Sequence, residues 1–104
     1  MKFTTLIISY KSLNKLDECI KTIGEKKEIL VIENSKDIQI KNEIEKKYKN
    51  CNVFLNNENL GYSAASNIGF RNIKNDYVLL INTDKVIHEQ QISEIEKEID
   101  ALEG

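Results

Sequence analysis

Short apolar runs alternate along the chain with stretches in which apolar residues recur every three or four positions. Phe3-Thr4-Thr5-Leu6-Ile7-Ile8-Ser9 is β-branched and apolar, the pattern of a strand buried on both faces. Leu13, Leu16, Ile20 and Ile23 follow at helical spacing, with Ser12 placed to cap the start and Gly24 to end the helix in a left-handed turn. The cycle repeats: Glu28-Ile29-Leu30-Val31-Ile32-Glu33 reads as a second strand, and Ile40, Ile44 and Tyr48 mark one face of a second helix. Asn52 to Asn56 is a weaker third strand, and Ala64, Ala65, Ile68 and Ile73 predict a helix opened by Ser63. Asp76-Tyr77-Val78-Leu79-Leu80-Ile81-Asn82 is the most apolar strand. Ile92, Ile95, Ile99 and Leu102 predict a closing amphipathic helix, capped by Ser93 or by a residue nearer His88.

Strands alternating with helices of this length imply a parallel sheet built by right-handed crossovers, an α/β Rossmann-like three-layer sandwich. The expected strand order is 3-2-1-4. Ligands of such sheets sit beyond the carboxyl ends of the strands. The loops to inspect are therefore Ser9–Leu13, Glu33–Asp37 and Asn82–Lys85.

Composition narrows the classes. With 104 residues and neither repeats nor a Pro/Gly/Ser-rich linker, residues 1–104 read as one domain. Fifteen basic against 17 acidic side chains give a net charge of −2, which argues against a nucleic-acid partner. Hydrophobic residues at 40% and charged residues at 31% fit a globular chain. No apolar run approaches the ~20 residues of a membrane span, and the start lacks signal-peptide features, so a cytoplasmic location is expected. Cys19 and Cys51, with His88 as the single histidine, do not make a zinc site, and two reduced, partly buried thiols are expected.

Neither the G-x-G-x-x-G of a dinucleotide fold nor the G-x-x-x-x-G-K-[ST] of a P-loop is present, so any nucleotide must be held by side chains. The loop ends offer Ser9 and Tyr10, then Glu33 and Asn34, then Asn82-Thr83-Asp84. Asp84 follows a run of apolar residues and should emerge at the mouth of the sheet. There it either caps a turn or binds a divalent cation, and oxygen ligands of this kind suit Mg²⁺ or Mn²⁺.

Two segments carry a specific resemblance. Asn59-Leu60-Gly61-Tyr62-Ser63-Ala64-Ala65-Ser66-Asn67-Ile68-Gly69-Phe70 and Asn75-Asp76-Tyr77-Val78-Leu79-Leu80-Ile81-Asn82-Thr83-Asp84 resemble family 2 glycosyltransferases, whose pattern runs N-x-G-x-x-x-A-x-N-x-G and, after a short gap, G-D/E-Y-hydrophobics-D-x-D. The first two strands also look like that family's, so the resemblance covers nearly the whole chain. It implies a GT-A fold that binds a nucleotide-diphospho-sugar, a UDP- or dTDP-sugar, and passes the sugar to an acceptor with inversion. On this pattern Ser9 and Tyr10 would meet the base or ribose, and Glu33 would contact the base beside Asn34. Asp84 would hold the metal on the diphosphate, with Asn82 and Thr83 alongside.

Gly61, Asn67 and Arg71 complete the implied donor site, each with an ordinary alternative. Gly61 and Gly69 serve backbone geometry and close helix packing, Asn67 can equally be a buried structural residue, and Arg71, the single arginine, a surface cation. Glu33 is a base contact or a solvated loop charge, and Tyr10 a ligand contact or a lid on the sheet edge. Three departures stand out: Asn82 replaces the first acid of D-x-D, as in the rhamnosyltransferase-like branch; Glu33 stands where Asp is usual; and the expected proline near position 9 is missing.

The acceptor half and catalytic base of such enzymes have no counterpart here, so the expectation is a truncated, donor-binding half whose catalytic residues are unknown. The exposed fourth strand is expected to pair into a homodimer. The rival reading is a non-catalytic Rossmann-like module binding a nucleotide or a protein.

Overall fold

A computed structural model of the chain describes residues 3–83 and 89–103. Eight elements alternate: β1 (Thr4–Ser9), α1 (Leu13–Ile23), β2 (Glu28–Glu33), α2 (Ile38–Lys47), β3 (Cys51–Leu55), α3 (Tyr62–Arg71), β4 (Val78–Asn82) and α4 (Glu89–Glu103). The strands form one parallel sheet in the order β3-β2-β1-β4, as the alternation predicts.

Strand period sorts the side chains onto two faces. Ile7, Ile29, Val31, Val53 and Ile81 pack with Leu16, Ile20 and Ile23 of α1, Ile40 and Ile44 of α2, and Ile92 and Ile99 of α4. Leu6, Ile8 and Ile32 face the other way and pack against Ala65 of α3, with Ile68 and Leu80 beside them. This makes three layers, with α3 alone described on its side. Gly69 lets α3 approach closely, since a Cβ there would stand 2.5 Å from Leu6 Cδ1.

The helix ends explain where sequence and structure differ. The Ser12 hydroxyl donates to the Tyr10 carbonyl at 2.8 Å, so Ser12 precedes α1 without a side-chain cap bond. Gly24 does close α1 at φ +98°, its N–H donating to the Ile20 carbonyl. Asp37 caps α2 by accepting the Gln39 and Ile40 amides. The third helix begins at Tyr62 after Gly61 and not at Ser63, because Gly61 takes φ +83°, a conformation that a serine adopts only with strain. Ser93 lies inside α4 and caps nothing. Tyr48 is the C-terminal cap of α2, and still buried.

The outer edge of β3 is occupied by side chains of α2. Val53 N–H donates to Glu45 Oε2 at 2.8 Å, and the Val53 carbonyl accepts Lys41 Nζ at 2.6 Å, while Lys41 and Glu45 pair at 2.9 Å. The Val53 N–H and carbonyl, which would otherwise recruit another strand, are thus already bonded. Burial raises the Glu45 pKa, but the Val53 amide and Lys41 outweigh it and hold the carboxyl below its ordinary value.

Candidate functional site at the carboxyl ends of the strands

Ser9 and Glu33 are register partners at the last rung between β1 and β2, which brings two of the expected site residues into contact. Glu33 Oε1 accepts the Ser9 hydroxyl; Oε2 accepts the Ser35 hydroxyl and, at 3.1 Å, the Lys11 backbone N–H. Glu33 is fully buried at 0% exposure. The solvated-charge alternative for this residue is therefore wrong. A strand-end carboxylate is expected in water, but here three donors replace that water.

Asn34, the next residue, is a second junction. Its Oδ1 accepts Asn56 Nδ2 at 2.8 Å and Leu60 N–H at 3.3 Å, and its Nδ2 donates to the Gly61 carbonyl at 3.2 Å. Asn34 and Asn56 are both buried, so the amide pair is shielded from competing water. Through it the end of β2 holds the end of β3 and the Asn59–Gly61 turn, in which Asn59 Oδ1 accepts Gly61 N–H. This delivers the N-terminus of α3, whose first amides have no partner within the helix, to the same end of the sheet.

Above these buried groups lies a cavity of about 480 Å³ between the β1–α1, β2–α2 and β3–α3 loops. Tyr10 and Lys11 form one wall, Asn34 to Asp37 a second, and Asn57, Glu58 and Asn59 a third. Tyr10 is 47% exposed, with Lys11 Nζ 5.6 Å from its ring centroid, so an open aromatic face and a cation flank the opening. Asn82, opposite Ile8 in the register, is exposed where β4 ends at this side, and Thr83 follows half-buried.

Asp84, Lys85 and His88 lie outside the described residues, so the expected metal ligand has no described position. Among the described residues no group of three His, Cys, Asp or Glu side chains is arranged to hold a metal ion.

Two expected site residues stand apart. From Gly61, bonded to Asn34 at the carboxyl ends of the strands, α3 runs back to Arg71, and the chain beyond it brings Asn75 to the start of β1, where its amide donates to Thr4. Arg71, on the last turn, is about 13 Å along the helix axis from Tyr62. It lines a neighbouring cavity of about 490 Å³, with Phe54, Ile68 and Asn72, which meets the first along Asn57 and Glu58. Asn67 is exposed on the same helix, so it is not a buried structural residue, and its carbonyl accepts Arg71 Nε at 3.4 Å. Ser35 and Asn56 were not expected in the site; the signals were a hydroxyl two positions after Glu33 and an amide at the end of β3. Cys19 and Cys51 are free and buried, and burial pushes the thiols up to about 11 and about 12, so neither is a nucleophile at neutral pH.

A cavity at the carboxyl ends of the strands is where sheets of this kind bind their ligands, and residues 4–103 fit the family described as "Glycosyl transferase family 2". The chain belongs to that family. Its fold is similar to crystal structures of S. aureus TarS: TarS 1-349 superposes with a TM-score of 0.80 at 20% identity, covering 97% of this chain and 33% of that one. A second TarS structure gives a TM-score of 0.78 at 20% identity, covering 97% and 20%. TarS 1-349 in complex with UDP gives 0.68 at 21% identity, covering 97% and 32%. The chain thus spans about a third of the TarS 1-349 chain. No curated protein matches it in sequence. Among the described residues, no helix is long and apolar enough to cross a membrane.

Proposed function

We propose that residues 1–104 form the donor-binding half of a GT-A glycosyltransferase and bind a nucleotide-diphospho-sugar, a UDP- or dTDP-sugar, for inverting transfer to an acceptor. The observation that carries this reading is the cavity between Tyr10, Asn34 and the Asn59–Gly61 turn, floored by buried hydrogen-bonded groups. The base and ribose lie against Tyr10 and the backbone after Ser9. The diphosphate extends toward the end of β4, where Asn82 and Thr83 emerge. The UDP held by one of the TarS structures supports this ligand class.

The oxygen-rich Asn82-Thr83-Asp84 sequence suits Mg²⁺ or Mn²⁺, which Asp84 would hold by its carboxylate with Asn82 and Thr83 alongside. Bound there, it offsets the negative charge that grows on the leaving diphosphate. The chain's own residues hold the nucleotide and orient it. Replacing the first acid of D-x-D by Asn82 removes one negative charge, so the metal is held chiefly when the donor is present.

Calorimetric titration with UDP- and dTDP-sugars, with and without Mn²⁺, tests the reading. Binding is expected to tighten at least about tenfold with Mn²⁺ in the wild type, a gain of about 1.4 kcal/mol, and Asp84→Ala is expected to lose that gain while keeping its far-ultraviolet circular dichroism. No heat with any donor would refute donor binding; an unchanged metal effect in Asp84→Ala would refute the ligand assignment.

A further inference from the structure

One carboxylate joins the two walls of the cavity from below. Glu33 takes the Ser9 hydroxyl on Oε1 and the Ser35 hydroxyl and Lys11 N–H on Oε2. The Ser35 hydroxyl oxygen in turn accepts the Asp37 N–H at 3.2 Å, which leads into the cap of α2. Lys11 has φ +46°, a left-handed conformation uncommon outside glycine, and its N–H bond to Glu33 helps hold the turn there. Tyr10 and Lys11 on one side and Ser35 to Asp37 on the other are thereby set at a fixed spacing.

The same geometry withholds Glu33 from a ligand. Each carboxylate oxygen can accept two hydrogen bonds, so Oε1 retains capacity; what excludes a base is burial, since no part of Glu33 is exposed. Reaching a base would require breaking the Ser9 or Ser35 bond and stranding buried donors.

We infer that Glu33 is a positioning residue for the donor nucleotide: it fixes the spacing of the cavity walls and does not touch the base, so discrimination among nucleobases does not depend on it. This rests on the donor-binding role proposed above, and it departs from the base contact that the family resemblance implies for this position.

Uracil and cytosine present opposite hydrogen-bonding groups on the pyrimidine edge, so a carboxylate in contact with that edge would separate UDP from CDP. Wild type, Glu33→Gln and Ser35→Ala are titrated with UDP, CDP and ADP. Both variants are expected to weaken all three nucleotides by a common factor, roughly 3–30-fold, with the UDP:CDP ratio within about twofold of wild type. A ratio shifted about tenfold or more in Glu33→Gln, but unchanged in Ser35→Ala, would overturn the inference.

Amide hydrogen exchange on the nucleotide-free wild type supplies a readout independent of binding and of whether the variants fold. The Lys11 amide is expected to exchange at least about tenfold more slowly than in an unstructured peptide, and exchange at the peptide rate would overturn the wall-holding role. Protection at Lys11 in a chain that binds no nucleotide would remove the donor-binding reading and its ligand, while the joining of the two loops by Glu33 would stand on the exchange result.

Discussion

Gly69 shows how a single position sets the distance between helix and sheet. Leu6 is fully buried, and its terminal carbons already occupy the space a side chain at 69 would need. Gly69→Val is expected to lower stability by about 2 kcal/mol in urea unfolding, through overpacking. Asp17 is a second case. Burial alone would raise its pKa, but hydrogen bonds from Lys47 at 2.8 Å and Tyr48 at 2.6 Å, with Lys21 at 3.1 Å, bring it from 3.8 to about 2. A carboxyl depressed in the native state stabilises it above the unfolded value, and this contribution is lost as pH falls from about 4 to about 2. Asp17→Asn should therefore cost stability at pH 7, about 1 kcal/mol or less for a partly exposed cluster, and the difference from wild type should vanish near pH 2 in thermal unfolding. Residue roles were the least legible part of the sequence. Glu33 ends a strand like any solvated charge, and its burial follows from Ser9 in register and Ser35 two positions on, a coincidence of three elements that local pattern does not encode.

The alternation of strands and helices was legible because each element buries an apolar face with its own period. Leu16, Ile20 and Ile23 are buried as their spacing predicts, and β3, read as weak, alternates buried Cys51 and Val53 with exposed Asn52 and Phe54 because it lies at the sheet edge. Boundaries were less legible, since hydroxyls that look like caps have other partners: Ser12 bonds Tyr10, and α3 starts from a glycine conformation. Arg71, expected either in the donor site or as a surface cation, is exposed and lines the neighbouring cavity. Sequence proximity to the glycine turn suggested the first cavity, whereas a helix of this length carries its last turn about 13 Å away, so that the Arg71 side chain lines the adjoining one. The guarding of β3 belongs to this scale too. Lys41→Ala combined with Glu45→Ala frees the Val53 N–H and carbonyl, and concentration-dependent association in light scattering should rise above wild type; unchanged scattering would deny the two side chains this role.

Strand order 3-2-1-4 was predictable for the molecule as a whole because right-handed crossovers leave few arrangements for four parallel strands. The edges of the sheet differ. On β3 the Val53 backbone groups are bonded by Lys41 and Glu45, whereas among the described residues β4 has β1 on one side and no strand on the other. We propose that the chain on its own pairs through β4 into a homodimer, with a dimer mass expected in light scattering at high concentration and a strictly monomeric mass contradicting it. We place the donor site in the cavity at the carboxyl ends of β1, β2 and β3. In a mapping of UDP onto the backbone amide resonances, shifts are expected to concentrate at Tyr10–Lys11, Asn34–Asp37 and Leu60–Gly61. Shifts confined to the groove of Phe54, Ile68 and Arg71, or none at saturating UDP, would contradict this placement.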